Sequence, residues 1–95
     1  MLIAKVIGTT VSTIKDPALV GHKLLIVRQT DETGNPIGSP YVAVDTVDAG
    51  VGDLVLTSAG SSARQTLMTK DQPVDAAIMS IIDSLEVDGV LVYGK

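Results

Sequence analysis

The segment KLLIVRQT, residues Lys23 to Thr30, is apolar on both sides of a predicted β-strand. Because side chains alternate along a strand, Leu24 and Ile26 lie on one face, and Leu25 and Val27 lie on the other. In a small antiparallel sheet, one face normally contacts the core and the other contacts water. Two apolar faces therefore predict a core on one side and a second subunit on the other. We assign Leu25 and Val27 to the predicted contact between subunits.

Further strands are predicted on both sides of this segment. LIAKVIGTTVST, Leu2 to Thr13, reads as a long strand, and Gly8 in its middle indicates a bulge or a sharp bend. Two more strands are predicted at Tyr41 to Val47 and at Leu54 to Ser58. The stretch from Asp31 to Pro40 is dense in turn-forming residues and predicts an exposed hairpin loop.

The C-terminal third carries signals for both helix and strand. Pro73 suits a first helical position, and the apolar residues after it follow helical spacing, which predicts a short helix from about Pro73 to Met79. A strand is then predicted from about Ile81 to Val87, and its partner from Val90 to Tyr93. Asp88-Gly89 between them is a strong two-residue hairpin signal. The whole chain thus predicts a small antiparallel β-barrel, closed or partly open, with one short helix.

Length and composition agree with this fold class. The chain has 95 residues, which fits one domain spanning residues 1–95. Hydrophobic residues make up 45% and aromatic residues 2%, so the core must be aliphatic and rich in β-branched side chains, which favour strands. A chain this small and this apolar has more apolar surface than one core can bury, which predicts a homo-oligomer. The chain has no cysteine, which excludes disulfides and cysteine-based zinc sites.

Charge and hydropathy predict that neither nucleic acid nor a membrane is a partner. The formal net charge is −4, which repels nucleic-acid phosphates. Barrels that bind single strands use aromatic platforms and a basic groove, whereas the aromatic residues here are Tyr41 and Tyr93. No apolar run approaches a membrane span, and the N-terminus does not read as a signal peptide. We therefore expect a cytoplasmic protein, with a small ligand- or single-stranded nucleic-acid-binding barrel as the alternative.

The loop SAGSSARQT, Ser58 to Thr66, concentrates small residues around one arginine. A phosphate-binding loop of the Walker type needs a second glycine followed by lysine, and both are missing here. Ser61 or Ser62 as a nucleophile would need a base, and the single histidine, His22, has no recognisable partner in the sequence. The sequence therefore predicts no catalytic residues and no enzyme.

The turn DAGVGD, Asp48 to Asp53, has glycines and aspartates that could belong to a dinucleotide-binding motif or to a calcium site, and we reject both interpretations. Gly50 and Gly52 lack the third glycine and the following helix of a dinucleotide-binding motif, so they are interpreted as turn residues. The spacing of the nearby aspartates does not match a calcium-binding EF-hand loop. We therefore expect neither a cofactor nor a bound metal.

Three sequence blocks occur in the same order as in a known family: residues 1–36, DAGVGDLVLTSAGSSARQT at 48–66, and PVDAAIMSIIDSL at 73–85. Together they resemble the vertex proteins of bacterial microcompartments, including those of carboxysomes and ethanolamine-utilisation compartments. The resemblance implies an OB-like barrel subunit that forms pentamers at the five-fold vertices of a polyhedral shell. It implies hexameric shell proteins as partners, a structural role without catalysis, and a narrow opening on the five-fold axis.

The resemblance also assigns roles to individual residues. Small side chains suit a crowded axis, where backbones of several subunits converge. The candidates for lining the axial opening are Gly60, Ser61 and Ser62. The candidates for contacts between subunits are Arg64, Gly50 and Gly52, in addition to Leu25 and Val27.

Overall fold

The computed structural model describes residues 1–11, 13, 17, 19–59 and 76–95. These residues form seven β-strands and no helix. The strands are β1 (Leu2–Thr9), β2 (Lys23–Thr30), β3 (Pro36–Asp45), β4 (Leu54–Ala59), β5 (Ala76–Ile81), β6 (Ser84–Val87) and β7 (Val90–Gly94). The prediction of a mainly β protein is confirmed.

Five strands close into a barrel in the order β1-β2-β3-β5-β4, with β4 returning to β1. All neighbouring pairs are antiparallel except β3 and β5, which are parallel. The prediction of a small closed or partly open antiparallel barrel is confirmed, except for this one parallel pair. A closed ring with an odd number of strands cannot alternate direction throughout, so one parallel pair is unavoidable.

The barrel interior is filled by aliphatic side chains from all five strands. The buried cluster consists of Ala4, Val6, Leu25, Val27, Ala43, Ala49, Val55, Ala76 and Ile78. Tyr41 packs against this cluster, and its hydroxyl lies 2.7 Å from the buried Thr57 hydroxyl, a hydrogen bond that either group can donate. The hydroxyl of this partly buried tyrosine thereby has a hydrogen-bond partner.

Leu25 and Val27 belong to this interior, which corrects the prediction that they face another subunit. Their side chains are 1% and 0% exposed, and they lie opposite Ala43 and Tyr41 across the β2–β3 pair. The outward residues of β2 are Leu24 and Ile26. The alternation predicts two apolar faces correctly. However, the face predicted to contact another subunit is the one that lines the barrel interior.

The bulge predicted near Gly8 is present in β1. The β1–β2 register shifts between Val6 and Gly8, so that Ile7 is the extra residue of the bulge. The strand ends at Thr9, earlier than the predicted Thr13. A bulge bends the strand and increases its twist, which helps β1 to pair with both β2 and β4.

The predicted helix from Pro73 to Met79 is wrong over Ala76 to Met79, which belong to β5. The earlier part of that prediction lies outside the described residues. Ala76 and Ile78 face the barrel interior, and Ala77 is buried in a second cluster on the outer side. A strand that is buried on both faces loses its two-residue alternation, so its apolar run resembles that of a buried helix.

The predicted Asp88-Gly89 hairpin turn is confirmed between β6 and β7. Both residues have positive φ, 53° and 77°, as the type I′ turn requires. The strand predicted from about Ile81 to Val87 is divided, because β5 ends at Ile81 and β6 begins at Ser84. Between them, the Ile82 N–H donates to the Leu54 carbonyl at 2.8 Å.

The loop between β2 and β3 is shorter than predicted, because β3 already begins at Pro36. Asp31 organises the turn: its Oδ1 accepts hydrogen bonds from the Thr33 hydroxyl, the Thr33 N–H and the Asn35 N–H at 2.7, 2.9 and 3.0 Å. These bonds, that from the Thr33 hydroxyl foremost, lower the pKa of Asp31. The turn is therefore fixed by its own side chains.

Candidate functional site

The connection between β3 and β4 is held by a clamp of charged groups, which we define as Lys23, Asp45 and Asp48. The buried Asp45 carboxylate accepts hydrogen bonds through Oδ1 from the N–H groups of Val47 and Ala49, at 3.0 and 3.2 Å. Its Oδ2 lies 3.3 Å from Lys23 Nζ, an ion pair outside hydrogen-bond geometry. Lys23 Nζ donates to Asp48 Oδ1 at 2.9 Å and to the Ala49 carbonyl at 3.0 Å.

The Lys23 ammonium of the clamp is charged at neutral pH. The hydrogen bond to Asp48, followed by the close contact with the Asp45 carboxylate, raises the pKa of Lys23 above its ordinary value. A raised lysine pKa gives stability that is present below the ordinary pKa and is lost only as the pH rises through the folded-state pKa. The connection is therefore fixed under neutral conditions.

The second half of the connection is attached to β1. Gly52 N–H donates to the Val6 carbonyl at 2.9 Å, and Val6 N–H donates to the Asp53 carbonyl at 2.9 Å. Asp53 Oδ2 accepts from the Gly50 N–H at 2.9 Å, which lowers the pKa of Asp53, and the nearby Lys95 ammonium lowers it further. The exposed tip Gly50-Val51-Gly52 is thus presented to solvent on a rigid base.

We predict that Gly52→Ala destabilises the fold much more than Gly50→Ala does. Gly52 has φ of +97°, a region that L side chains rarely adopt, so alanine there is expected to lower the free energy of unfolding by about 1–2 kcal/mol. At Gly50 the backbone does not have positive φ, and an added Cβ would lie 3.9 Å from Asp53 Oδ2, an ordinary contact. Urea denaturation of both variants checks this, and equal losses would contradict it.

The outer side of the barrel is also apolar, and only part of it is covered. Across β2 and β3, Leu24 lies opposite Val44 and Ile26 lies opposite Val42. Leu19, from the segment before β2, packs with Leu24 and Met79 over the buried Val44 and Ala77. This cover does not extend to the neighbouring apolar residues, which we call the outer patch: Ile7, Ile26 and Val42. Ile7 and Val42 are 42% and 47% exposed.

The described residues offer no arrangement for catalysis or for metal binding. They contain no group of three or more His, Asp or Glu side chains that could hold a metal ion. His22 shares a shallow recess with Lys23, Asp45 and Asp48, but both carboxylates are engaged by the lysine. No carboxylate of this recess is left to orient His22 as a base. Among the described residues there is also no helix long and apolar enough to cross a membrane.

The structure divides the residues predicted to function into three groups. Gly50 and Gly52 lie in the exposed turn, and Leu25 and Val27 lie inside the barrel. The other predicted residues lie outside the described part of the chain: Gly60, Ser61, Ser62 and Arg64. The sequence analysis missed the clamp and the outer patch. The signal for the clamp is the β2–β3 register, which sets Lys23 directly opposite Asp45.

Comparison with known proteins places this barrel in one family. Residues 1–83 match the family model described as ethanolamine utilisation protein EutN/carboxysome. The carboxysome shell vertex protein CcmL of Nostoc sp. is 51% identical over 96 residues, covering 100% of this chain and 95% of that protein. The bacterial microcompartment shell vertex protein GrpN of Rhodospirillum rubrum is 49% identical over 86 residues, covering 90% of this chain and 97% of that protein.

Solved structures agree with the sequence comparison. CcmL of Gloeobacter violaceus superposes with a TM-score of 0.89 at 44% identity and covers 100% of this chain and 98% of that chain. The pentameric microcompartment shell protein GrpN of Rhodospirillum rubrum superposes with a TM-score of 0.80 at 48% identity, covering 92% of this chain and 99% of that chain. Sequence and fold therefore agree from end to end, and the chain belongs to the ethanolamine utilisation protein EutN/carboxysome family.

Proposed function

We propose that this protein is a vertex protein of a bacterial microcompartment shell, where five copies form a ring that caps a five-fold vertex. The observation that carries the proposal is the end-to-end similarity to a carboxysome shell vertex protein, 51% identical over 96 residues. Similarity to a pentameric shell protein, with a TM-score of 0.80, supports five as the number of subunits. The role is structural: the ring supplies curvature that flat hexameric shell proteins cannot supply.

The surface of the barrel supports assembly into a ring. The outer patch leaves aliphatic side chains in water, which suits a subunit interface better than an isolated domain. A ring with rotational symmetry uses two different surfaces of each subunit, and it closes if the rotation between neighbours permits. We propose that the rigid turn at Gly50 and Gly52 lies near one such contact. Hexameric shell proteins are the proposed partners around the ring.

We also propose that the ring has a narrow opening on its five-fold axis, lined by Gly60, Ser61 and Ser62. Gly60, Ser61 and Ser62 are small, and serine hydroxyls would give the opening a polar lining. Arg64 is proposed to hold this loop through contacts between subunits. The sequence supports these roles, because the segment that contains them concentrates small residues.

Native mass spectrometry of the full chain tests the ring directly. We expect a dominant species of about five times the subunit mass of 9.8 kDa, without bound nucleic acid. A monomer at all protein concentrations would contradict the proposal, and a six-subunit ring would contradict the vertex role. Salt-dependent binding to single-stranded DNA would instead favour a nucleic-acid-binding barrel.

A further inference from the structure

The turn between β6 and β7 carries the dipeptide Asp88-Gly89. Among the described strands, β6 and β7 pair only with each other, so they form a two-stranded sheet beside the barrel. An isolated two-stranded sheet is at best marginally stable, and this turn is therefore expected to open more often than the closed barrel. In the complete sequence, Asp88 is the only aspartate or asparagine that is followed by glycine.

The backbone and side-chain groups of this turn are accessible to each other and to water. Asp88 and Gly89 are both exposed, and no described cation lies within ion-pair distance of the Asp88 carboxylate. Gly89 belongs to neither strand, and its N–H donates to no other backbone group in the described part of the chain. A Cβ added at Gly89 would meet no atom within 4 Å. The Gly89 nitrogen is therefore neither hydrogen-bonded to the backbone nor shielded.

Asp48 is the matched position elsewhere in the fold, because it is also exposed and also has positive φ, 60° against 53° at Asp88. Its carboxylate, however, accepts a hydrogen bond from Lys23 Nζ at 2.9 Å. The nitrogen that follows it, that of Ala49, is buried and donates to Asp45 Oδ1 at 3.2 Å. The clamp thus engages at Asp48 the two groups whose counterparts at Asp88 are accessible.

We propose that Asp88 is a site of spontaneous backbone isomerisation, at which the chain rearranges from an aspartyl to an isoaspartyl link. The Gly89 nitrogen attacks Cγ of the un-ionised Asp88 carboxyl and forms a C–N bond, while the carboxyl OH and the amide proton leave as water. Water then opens the resulting succinimide at either carbonyl. Opening at the main-chain carbonyl of Asp88 leaves the backbone running through Cβ. Since water is lost and then regained, no further reactant is needed.

The conformation of the turn governs the rate of this reaction. A type I′ turn holds ψ of its first central residue positive, which keeps the Gly89 nitrogen away from Cγ of Asp88. Ring closure therefore requires the turn to open, and the rate follows how often it does so. The isoaspartyl product has a longer backbone than a two-residue turn accommodates, so the pairing of Val87 with Val90 is lost.

Ageing of the purified full chain tests the proposal. The chain is incubated at physiological temperature and mildly acidic pH, because the reacting carboxyl must be un-ionised. Cleavage after Glu86 then releases residues 87–95, in which Asp88 is the only aspartate. Electron-transfer fragmentation distinguishes isoaspartate from aspartate at each position. We expect about tenfold more isoaspartate at Asp88 than at Asp48, which corresponds to a difference of about 1.4 kcal/mol in the barrier.

The variants Asp88→Asn and Asp48→Asn form a matched pair, because asparagine tolerates positive φ at both positions. Each closes the same ring with loss of ammonia, which mass spectrometry detects, and we expect the first to deamidate about tenfold faster. Isoaspartate at Asp88 no more abundant than at Asp48 would overturn the proposal. Equal deamidation of the two variants would overturn it as well, even where the wild type reacts slowly. Neither measurement depends on ring assembly, so the proposed function is tested separately.

Discussion

The Leu25→Ala variant is expected to lose about 3 kcal/mol of unfolding free energy, because the truncation leaves a cavity in a closed aliphatic barrel. The Leu25 side chain is 1% exposed and belongs to the same cluster as Val27 and Ile78. A small domain has only about 5–15 kcal/mol of stability in total, so the loss is a large share. Urea denaturation gives the free energy. Wild type and variant are compared at equal subunit concentration, because assembly itself adds apparent stability.

Leu24→Ala is the matched control for this prediction. It removes the same atoms from the adjacent residue, but Leu24 faces the outer side of the barrel and is only partly buried. We expect a smaller loss of about 1 kcal/mol, because less apolar area returns to water. A larger loss for Leu24→Ala than for Leu25→Ala would mean that the inner and outer faces of β2 are exchanged relative to this structure.

Asp45→Asn is expected to lower the free energy of unfolding by about 2–3 kcal/mol, because it removes the negative charge beside Lys23 inside the clamp. The amide oxygen can still accept from the Val47 and Ala49 N–H groups, but the new NH₂ group sets a donor against the lysine ammonium. Since the carboxylate is fully buried, water cannot take over the lost interaction. Thermal and urea denaturation both measure this loss.

Asp48→Asn tests whether the loss of stability in Asp45→Asn depends on the burial of Asp45, or whether removing either ion pair to Lys23 has the same result. Asp48 makes the shorter contact to Lys23, 2.9 Å against 3.3 Å, but its side chain is 94% exposed. Exposed ion pairs contribute little, so we expect a change within about 0.5 kcal/mol. Asparagine also tolerates the positive φ of 60° at this position. Equal losses in the two asparagine variants would show that the clamp acts through its exposed pair.

The clearest sequence signals identified local structure well. The β2 boundaries follow directly from the apolar run between Gly21-His22 and Asp31, and the prediction of Lys23 to Thr30 is confirmed. The Asp88-Gly89 turn was predictable, because few dipeptides adopt two consecutive positive φ angles easily. The bulge beside Gly8 is likewise a local feature. The family resemblance, which depends on several blocks in order, is confirmed by the family match over residues 1–83.

The predictions that are wrong concern structural features that depend on contacts between residues distant in the sequence. Alternation in β2 gives two apolar faces, but only the pairing with Ala43 and Tyr41 decides that Leu25 and Val27 are inside. Ala76 to Met79 were read as helix because burial between β3 and β4 removes the strand alternation. The clamp was missed for the same reason, since Lys23 and Asp45 become neighbours only through the strand register.

The pairing of β1 with β4 has a consequence for the order in which the chain folds. Leu2 lies opposite Thr57, and β5 (Ala76–Ile81) joins β3 to β4, so the barrel cannot close until the ribosome has released β5. In the meander of β1, β2 and β3, each strand pairs with the next strand in sequence, so the meander is expected to form first. Closure waits for the pairing of β1 with β4, which are distant in sequence, and is therefore slow. During synthesis, Leu25 and Val27 stay in contact with water until β4 and β5 arrive. A nascent subunit is therefore vulnerable to misassembly longest at its N-terminal half.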